Sequence, residues 1–236
     1  MIYFFAIIFG ILPSLIWLFF YLRKDVHPES NRMVLKIFFY GILIALPAIF
    51  IEIGIQRQFE KLVISPFLIL ILNTFIGVAL VEEFLKYLVI QEKVLNNSEF
   101  DEPIDAMLYM IIAGLGFAAI ENVLTLFILE PPFLIKKILE ISTLRFLGTT
   151  FLHALCSGLI GYFLALSFFE SKKRIRLIVI GLIMASFFHG LYNFSIREFE
   201  GNLQLAIPVI ILIGLAIFLN FAFKHLKKLK SICKIE

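Results

Sequence analysis

The sequence predicts an all-α, polytopic membrane protein, and three observations carry that reading. Of its 236 residues, 61% are hydrophobic and 17% charged, and the mean hydropathy is +1.00. A water-soluble domain could not hide that much apolar surface. Apolar runs of roughly 20 residues recur, the length an α-helix needs to cross a hydrocarbon core. The period-two alternation of membrane strands is absent. Lipid offers no partners to backbone N–H and C=O groups, so helices that satisfy their own are the architecture left.

Seven spans follow, at roughly residues 2–22, 34–53, 64–90, 104–129, 143–169, 176–196 and 203–223, in a single membrane domain 1–236. The first run begins Met1-Ile2-Tyr3 with neither a basic n-region nor a small-residue cleavage site, and reads as a retained span. Spans one, two and seven are mostly Ile, Leu and Phe and read as lipid-facing wall. Glu52 falls at a span end, where a carboxylate reaches the interface, and is given no role. The stretch Asn96 to Pro103 is acidic and turn-rich, with Pro103 suited to the first turn of the next helix, and Pro131-Pro132 ends the fourth span. Loops are short, and neither repeats nor low-complexity tracts interrupt them.

Basic residues sort the loops. Arg23, Lys24, Arg32, Lys36, Lys86, Lys93, Lys172, Lys173, Arg174, Arg176 and the tail lysines 224, 227, 228, 230 and 234 fall toward one side, fifteen against five on the other (Arg57, Lys61, Lys136, Lys137 and Arg197). The positive-inside rule then places the amino terminus outside and the tail in the cytoplasm, in a multi-pass protein of the cell membrane. Cys156 falls mid-span and Cys233 in the basic tail, so no disulfide is expected. Cys233-Lys234-Ile235-Glu236 departs from a prenylation box in its lysine and its final glutamate.

Spans three to six, approximately residues 64–196, carry the chemistry. Span three contains Glu82-Glu83-Phe84-Leu85-Lys86, and each such charge costs at least ~2.5 kcal/mol in a bilayer unless it faces a partner or a polar cavity. On a helix Lys86 can pair with Glu82 at i,i+4 or Glu83 at i,i+3. Span four offers the small-residue face Gly114 to Ala119, followed by Glu121 and Asn122. Arg145, Thr149, His153 and Ser157 fall four apart on span five, as one polar stripe, and His189 and Asn193 four apart on span six.

Titratable groups of both signs on four neighbouring helices suit peptide-bond hydrolysis. Glu82 or Glu83 would take a proton from water, and a histidine N–H with the Asn193 amide would meet the oxyanion. Other protease chemistries fit less well. His-Glu-x-x-His is absent, although Glu82, Glu121, His153 and His189 could form a mixed-ligand metal site. Asp25, Asp101 and Asp105 lie in loops or at a span start, too peripheral for an aspartyl dyad, and Ser157 with His189 is a weak nucleophile pattern.

At these residues the chain resembles the PrsW family of intramembrane glutamic proteases, relatives of the CAAX prenyl endopeptidases and of abortive-infection membrane proteins. The family's Glu-Glu-x-x-Lys stands as Glu82 to Lys86, and its Phe-x-x-x-Glu as Phe117 to Glu121. Its arginine and histidine look like Arg145 and His153, with Ser157 beyond, and its last motif like His189-Gly190-Leu191-Tyr192-Asn193. Tyr21 to Glu29 resembles the family's first loop, and Glu121 stands where the prenyl endopeptidases carry histidine.

The resemblance implies glutamate-activated water, no metal or other cofactor, and membrane-anchored protein substrates such as single-span anti-sigma factors. Glu82, Glu83, Glu121, His153, His189 and Asn193 would be catalytic, with Lys86, Arg145 and Ser157 supporting them. The partners expected are that substrate and the lipid bilayer, with no nucleic acid. A proton-coupled carrier is the alternative, and a non-catalytic scaffold of the same fold a third reading. One tension follows from the spans. A rise of about 1.5 Å per residue puts Glu83 roughly 25 Å and Glu121 roughly 6 Å from the outer face of a ~30 Å core, yet both are expected in one site with His153 and His189.

Overall fold

The computed structural model describes residues 2–24, 27–128 and 135–229, and all regular structure within them is helical. In chain order the elements are α1 (Ile2–Leu22), α2 (Asn31–Phe59), α3 (Pro66–Leu72), a π-helical segment (Asn73–Leu80) and α4 (Val81–Lys93). Then come α5 (Pro103–Phe127), α6 (Ile135–Leu147), α7 (Thr149–Phe169), a single 3₁₀ turn (Ser171–Lys173), α8 (Arg174–Glu198) and α9 (Asn202–Leu226). α3, the π segment and α4 run on as one rod and α6 passes through Gly148 into α7, so among the described residues seven stretches are long and apolar enough to cross a membrane.

Local chemistry starts these helices. Ser30 accepts from Met33 N at 3.2 Å and Ser65 from Leu68 N at 3.3 Å, each relieving an orphan donor of the first turn. Pro103 stands at the start of α5, and Asp105 accepts from the Glu102 and Asp101 backbone N–H groups at 2.7 and 3.0 Å.

α5 is apolar all round, and every residue from Pro103 to Ala119 is buried, as expected of a helix packed on all sides. α1, α2, α4 and α7 surround it. Hydrophobic driving force is weak between helices in lipid, and backbone approach replaces it. A Cβ on Gly116 would stand 2.1 Å from the Phe38 carbonyl oxygen, so α2 and α5 touch main chain to main chain at a point only glycine permits. Exposed Ile, Leu and Phe side chains on α1, α2 and α9 form the outer wall.

Two boundaries differ from the sequence reading. α2 extends to Phe59, which puts Glu52 within the helix and not at its end. The fifth span begins at Ile135, and Gly148, at φ −105° and ψ −95°, breaks it into α6 and α7. Arg145 therefore does not share a helix with His153 and Ser157, and the four-residue stripe is two pieces. Asp25, Pro131-Pro132, Lys230, Cys233 and Lys234 lie outside the described residues. Ser30 donates to Glu99 at 2.5 Å and His27 lies 2.7 Å from Glu102, so the first and third loops meet at one end, as an alternating up-and-down path requires.

Candidate active site

Lys86 stands at the centre of a buried side-chain network. Its Nζ lies 3.1 Å from Glu82 Oε2, 2.8 Å from Glu83 Oε1 and 2.7 Å from His153 Nδ1. An ammonium has three protons, and these three acceptors use all of them. Because His153 Nδ1 accepts from an ammonium, its own N–H belongs on Nε2, which donates to Glu121 Oε2 at 2.8 Å. Arg145 Nη2 completes the chain, 2.9 Å from Glu121 Oε1. On the other side His189 Nδ1 lies 2.8 Å from Glu83 Oε1, and His189 Nε2 lies 4.0 Å from Glu82 Oε2. Lys86, Glu83, His153 and His189 are fully or almost fully buried, while 8% of the Glu82 side chain remains exposed.

Each motif has a mechanical reason. Phe117 and Glu121 are one turn apart on α5, so one helix face lays the Phe117 ring 4.4 Å from Lys86 Nζ and sets the Glu121 carboxylate against His153. The π segment widens the helix immediately before Glu82, a distortion frequent beside functional residues. Its Phe75 packs on Gly190 so closely that a Cβ there would meet the ring at 2.5 Å, which brings α8, and with it His189, onto Glu83. α6 is held to α1 by Ser142 Oγ donating to the Phe9 carbonyl at 2.6 Å and by Trp17 Nε1 donating to the Phe146 carbonyl at 2.9 Å. That docking aims Arg145 back at Glu121 across the break at Gly148.

The depth tension is resolved by length and reach. The rod from Pro66 to Lys93 has 28 residues, about 42 Å at helical rise against a ~30 Å core, so its start is not the membrane face. Glu83 and Glu121 also do not touch. Lys86 and His153 stand in series between them and carry the network across the gap.

Not every expected residue joins this network. Ser157 packs against Gly114, and its Oγ has no hydrogen-bond partner among the described residues. Asn193 lines a neighbouring cavity of about 230 Å³ with Thr74, Glu121, Arg145, Tyr192 and Arg197. Cys156 is buried. Two residues carry more than the sequence assigned them. Asn122 accepts from Arg145 Nε and donates to the Gly10 carbonyl at 3.1 Å and Thr150 Oγ1 at 3.0 Å, tying α1, α5, α6 and α7. Glu52 lies within electrostatic range of Glu82, Glu121 and Lys86. Its place on one α2 face with buried Ala45 and Ala48 was the available signal.

The chain is a multi-pass helical bundle with a buried carboxylate–imidazole–ammonium centre, an arrangement suited to a membrane-embedded enzyme. The chain belongs to the PrsW family: residues 29–221 match the family described as "PrsW family intramembrane metalloprotease". It is 32% identical to Protease PrsW of Geobacillus kaustophilus over 81% of this chain and 79% of that protein. It is 28% identical to Protease PrsW of Bacillus subtilis over 94% of each chain, and 28% identical to that of Oceanobacillus iheyensis over 86% and 88%. No solved structure matches the chain. The protein is thus an intramembrane protease with a multi-pass membrane setting.

The family description implies a metal, and the donor set can be tested for it. One ligand atom each from Glu82, Glu83, His153 and His189 lies within 4.8 Å of the others. Glu121 is not in this set, because His153 stands between it and the centre. A zinc ion would sit about 2.0–2.2 Å from such atoms. Lys86 Nζ already binds three of the four residues at 2.7 to 3.1 Å, so a dication would have to stand beside a buried ammonium that has no lone pair to offer. The spacing of these four residues is that of a candidate ion site, and an ion there would share it with an ammonium bound to three of them.

Proposed function

We propose that this chain is a glutamic-type endopeptidase in which Glu82 is the general base and no metal takes part. The observation that carries the reading is the 4.0 Å separation of Glu82 Oε2 and His189 Nε2, with Glu82 the less buried of the two adjacent carboxylates. A water within hydrogen-bond reach of both atoms subtends roughly a right angle between them, a geometry one water accepts. Glu83 holds the His189 ring through Nδ1, and Lys86 fixes the charge and direction of both carboxylates.

The step follows from these positions. Glu82 takes a proton as the water oxygen adds to the scissile carbonyl carbon, and a carbonyl entering from the neighbouring cavity would meet the Asn193 amide, one turn from His189, as the donor to its oxyanion. The C–N bond then breaks as the proton passes to the leaving amine, giving one new carboxyl and one new amino terminus. His153, between Lys86 and Glu121, keeps the ammonium in register, and Arg145 orients Glu121. Substrates are membrane-anchored proteins, with single-span anti-sigma factors the first class to try. The sidedness of the basic residues supports an outside amino terminus and a cytoplasmic tail.

The test is cleavage of a co-expressed, doubly tagged single-span reporter, followed by the same reaction with purified protein in detergent. Glu82→Gln is expected to accumulate normally and lose cleavage, and the parental rate is expected to survive a strong chelator. Zinc-reversible loss in the chelator, or parental cleavage by Glu82→Gln, overturns the reading.

A further inference from the structure

We infer that the Lys86 ammonium is the built-in cation of this centre: it holds, through its position, a donor set that becomes a divalent-metal site once the ammonium is removed. The inference deepens the glutamic reading and rests on it for the meaning of the site, but its geometry is independent of cleavage.

Three features support it. The first is completeness: Glu82, Glu83 and His153 saturate the ammonium, and the Phe117 ring stands 4.4 Å away over it, so the cation is enclosed as a bound ion would be. The second is the outer ring of partners. Metal-ligating histidines usually have their second nitrogen held by a carboxylate, which fixes the tautomer and aims the free nitrogen at the metal. His153 has this arrangement, with Nε2 on Glu121 and Nδ1 aimed at Nζ in place of a metal. His189 is likewise held by Glu83 through Nδ1.

The third feature is what truncation leaves. With Lys86 shortened, Glu82, Glu83, His153 and His189 still present ligand atoms within 4.8 Å of one another, and two buried carboxylates lose their nearest cation. Glu83 Oε2, fully buried and without a hydrogen-bond partner among the described residues, gains a use as a ligand. Imidazole and carboxylate donors in that number suit Zn²⁺ or Co²⁺.

The experiment compares the full-length parent, Lys86→Arg, Lys86→Ala and Lys86→Ala/His153→Ala, each purified in detergent and stripped with chelator. Co²⁺ is titrated in, and its visible ligand-field absorption and the metal bound per chain are measured. Lys86→Ala is expected to bind one Co²⁺ at least about 100-fold more tightly than the parent, and to be stabilised by it against heat. Parent and Lys86→Arg are expected to bind at least about 100-fold more weakly, and the double variant to lose most of the gain. If Lys86→Ala accumulates only in zinc-supplemented medium, the inference is supported.

Failure of Lys86→Ala to accumulate with or without zinc overturns the inference, as does its accumulation without metal uptake. Stoichiometric, tight Co²⁺ binding by the parent also overturns it. A parent that cleaves in chelator beside a Lys86→Ala that takes up no cobalt defeats this inference alone. A parent whose cleavage needs tightly bound zinc defeats the glutamic reading as well.

Discussion

Among the described residues acidic groups are buried in two places, and these are built differently. At the start of α5, Asp105 accepts backbone N–H groups of Glu102 and Asp101, Tyr109 donates to Glu29, and His27 lies against Glu102 at an exposed edge. Those contacts cap a helix and tie two loops, and helix capping explains why a carboxylate is there. Around Lys86, three glutamates, two histidines, a lysine and an arginine from α4, α5, α6, α7 and α8 meet side chain to side chain. No local backbone requirement calls for them. Replacing such a network with apolar residues is often neutral or stabilising, so fold maintenance alone does not account for it.

The comparison breaks most visibly at Glu82. Glu82→Gln is expected to cut the cleavage rate by roughly 10²–10⁴-fold with normal accumulation in the membrane, as loss of a general base does. Asp105→Asn should leave the rate per folded molecule unchanged. Equal losses of rate at both positions, measured on the tagged reporter, would erase the distinction.

A smaller effect separates charge balance from catalysis. Lys86→Met should destabilise the fold by about 3 kcal/mol, because it leaves two buried carboxylates without their cation; Glu83→Gln should cost less, since Lys86 keeps Glu82 at 3.1 Å, and the double variant should recover part of the Lys86→Met loss. Strict additivity in denaturant unfolding would show that the pair is not coupled. Next in size is Gly190→Ala, whose new methyl meets Phe75 and displaces His189; it should cost about 10-fold in rate, with partial return on Phe75→Leu. The smallest is Tyr109→Phe, expected to cost about 1 kcal/mol of stability and no activity, since it removes one hydrogen bond to Glu29. A cleavage defect there would extend the site to the far end of α5.

The sequence by itself determined the fold class, the number of crossings and the residues that face one another at i,i+3 and i,i+4, because helical period and hydrocarbon thickness are properties of short stretches. Glu82 and Glu83 with Lys86 were legible for that reason. Tertiary structure decided which ring nitrogen meets which carboxylate, that Lys86 and His153 bridge Glu83 to Glu121, that Asn122 ties four helices, and that Glu52 lies near the centre. It also replaced a continuous polar stripe on span five with two helices joined at Gly148, and left Ser157 against Gly114. These outcomes depend on helix crossing points, set where glycine lets backbones approach, and on side chains reaching across them. Spacing along one chain does not encode either.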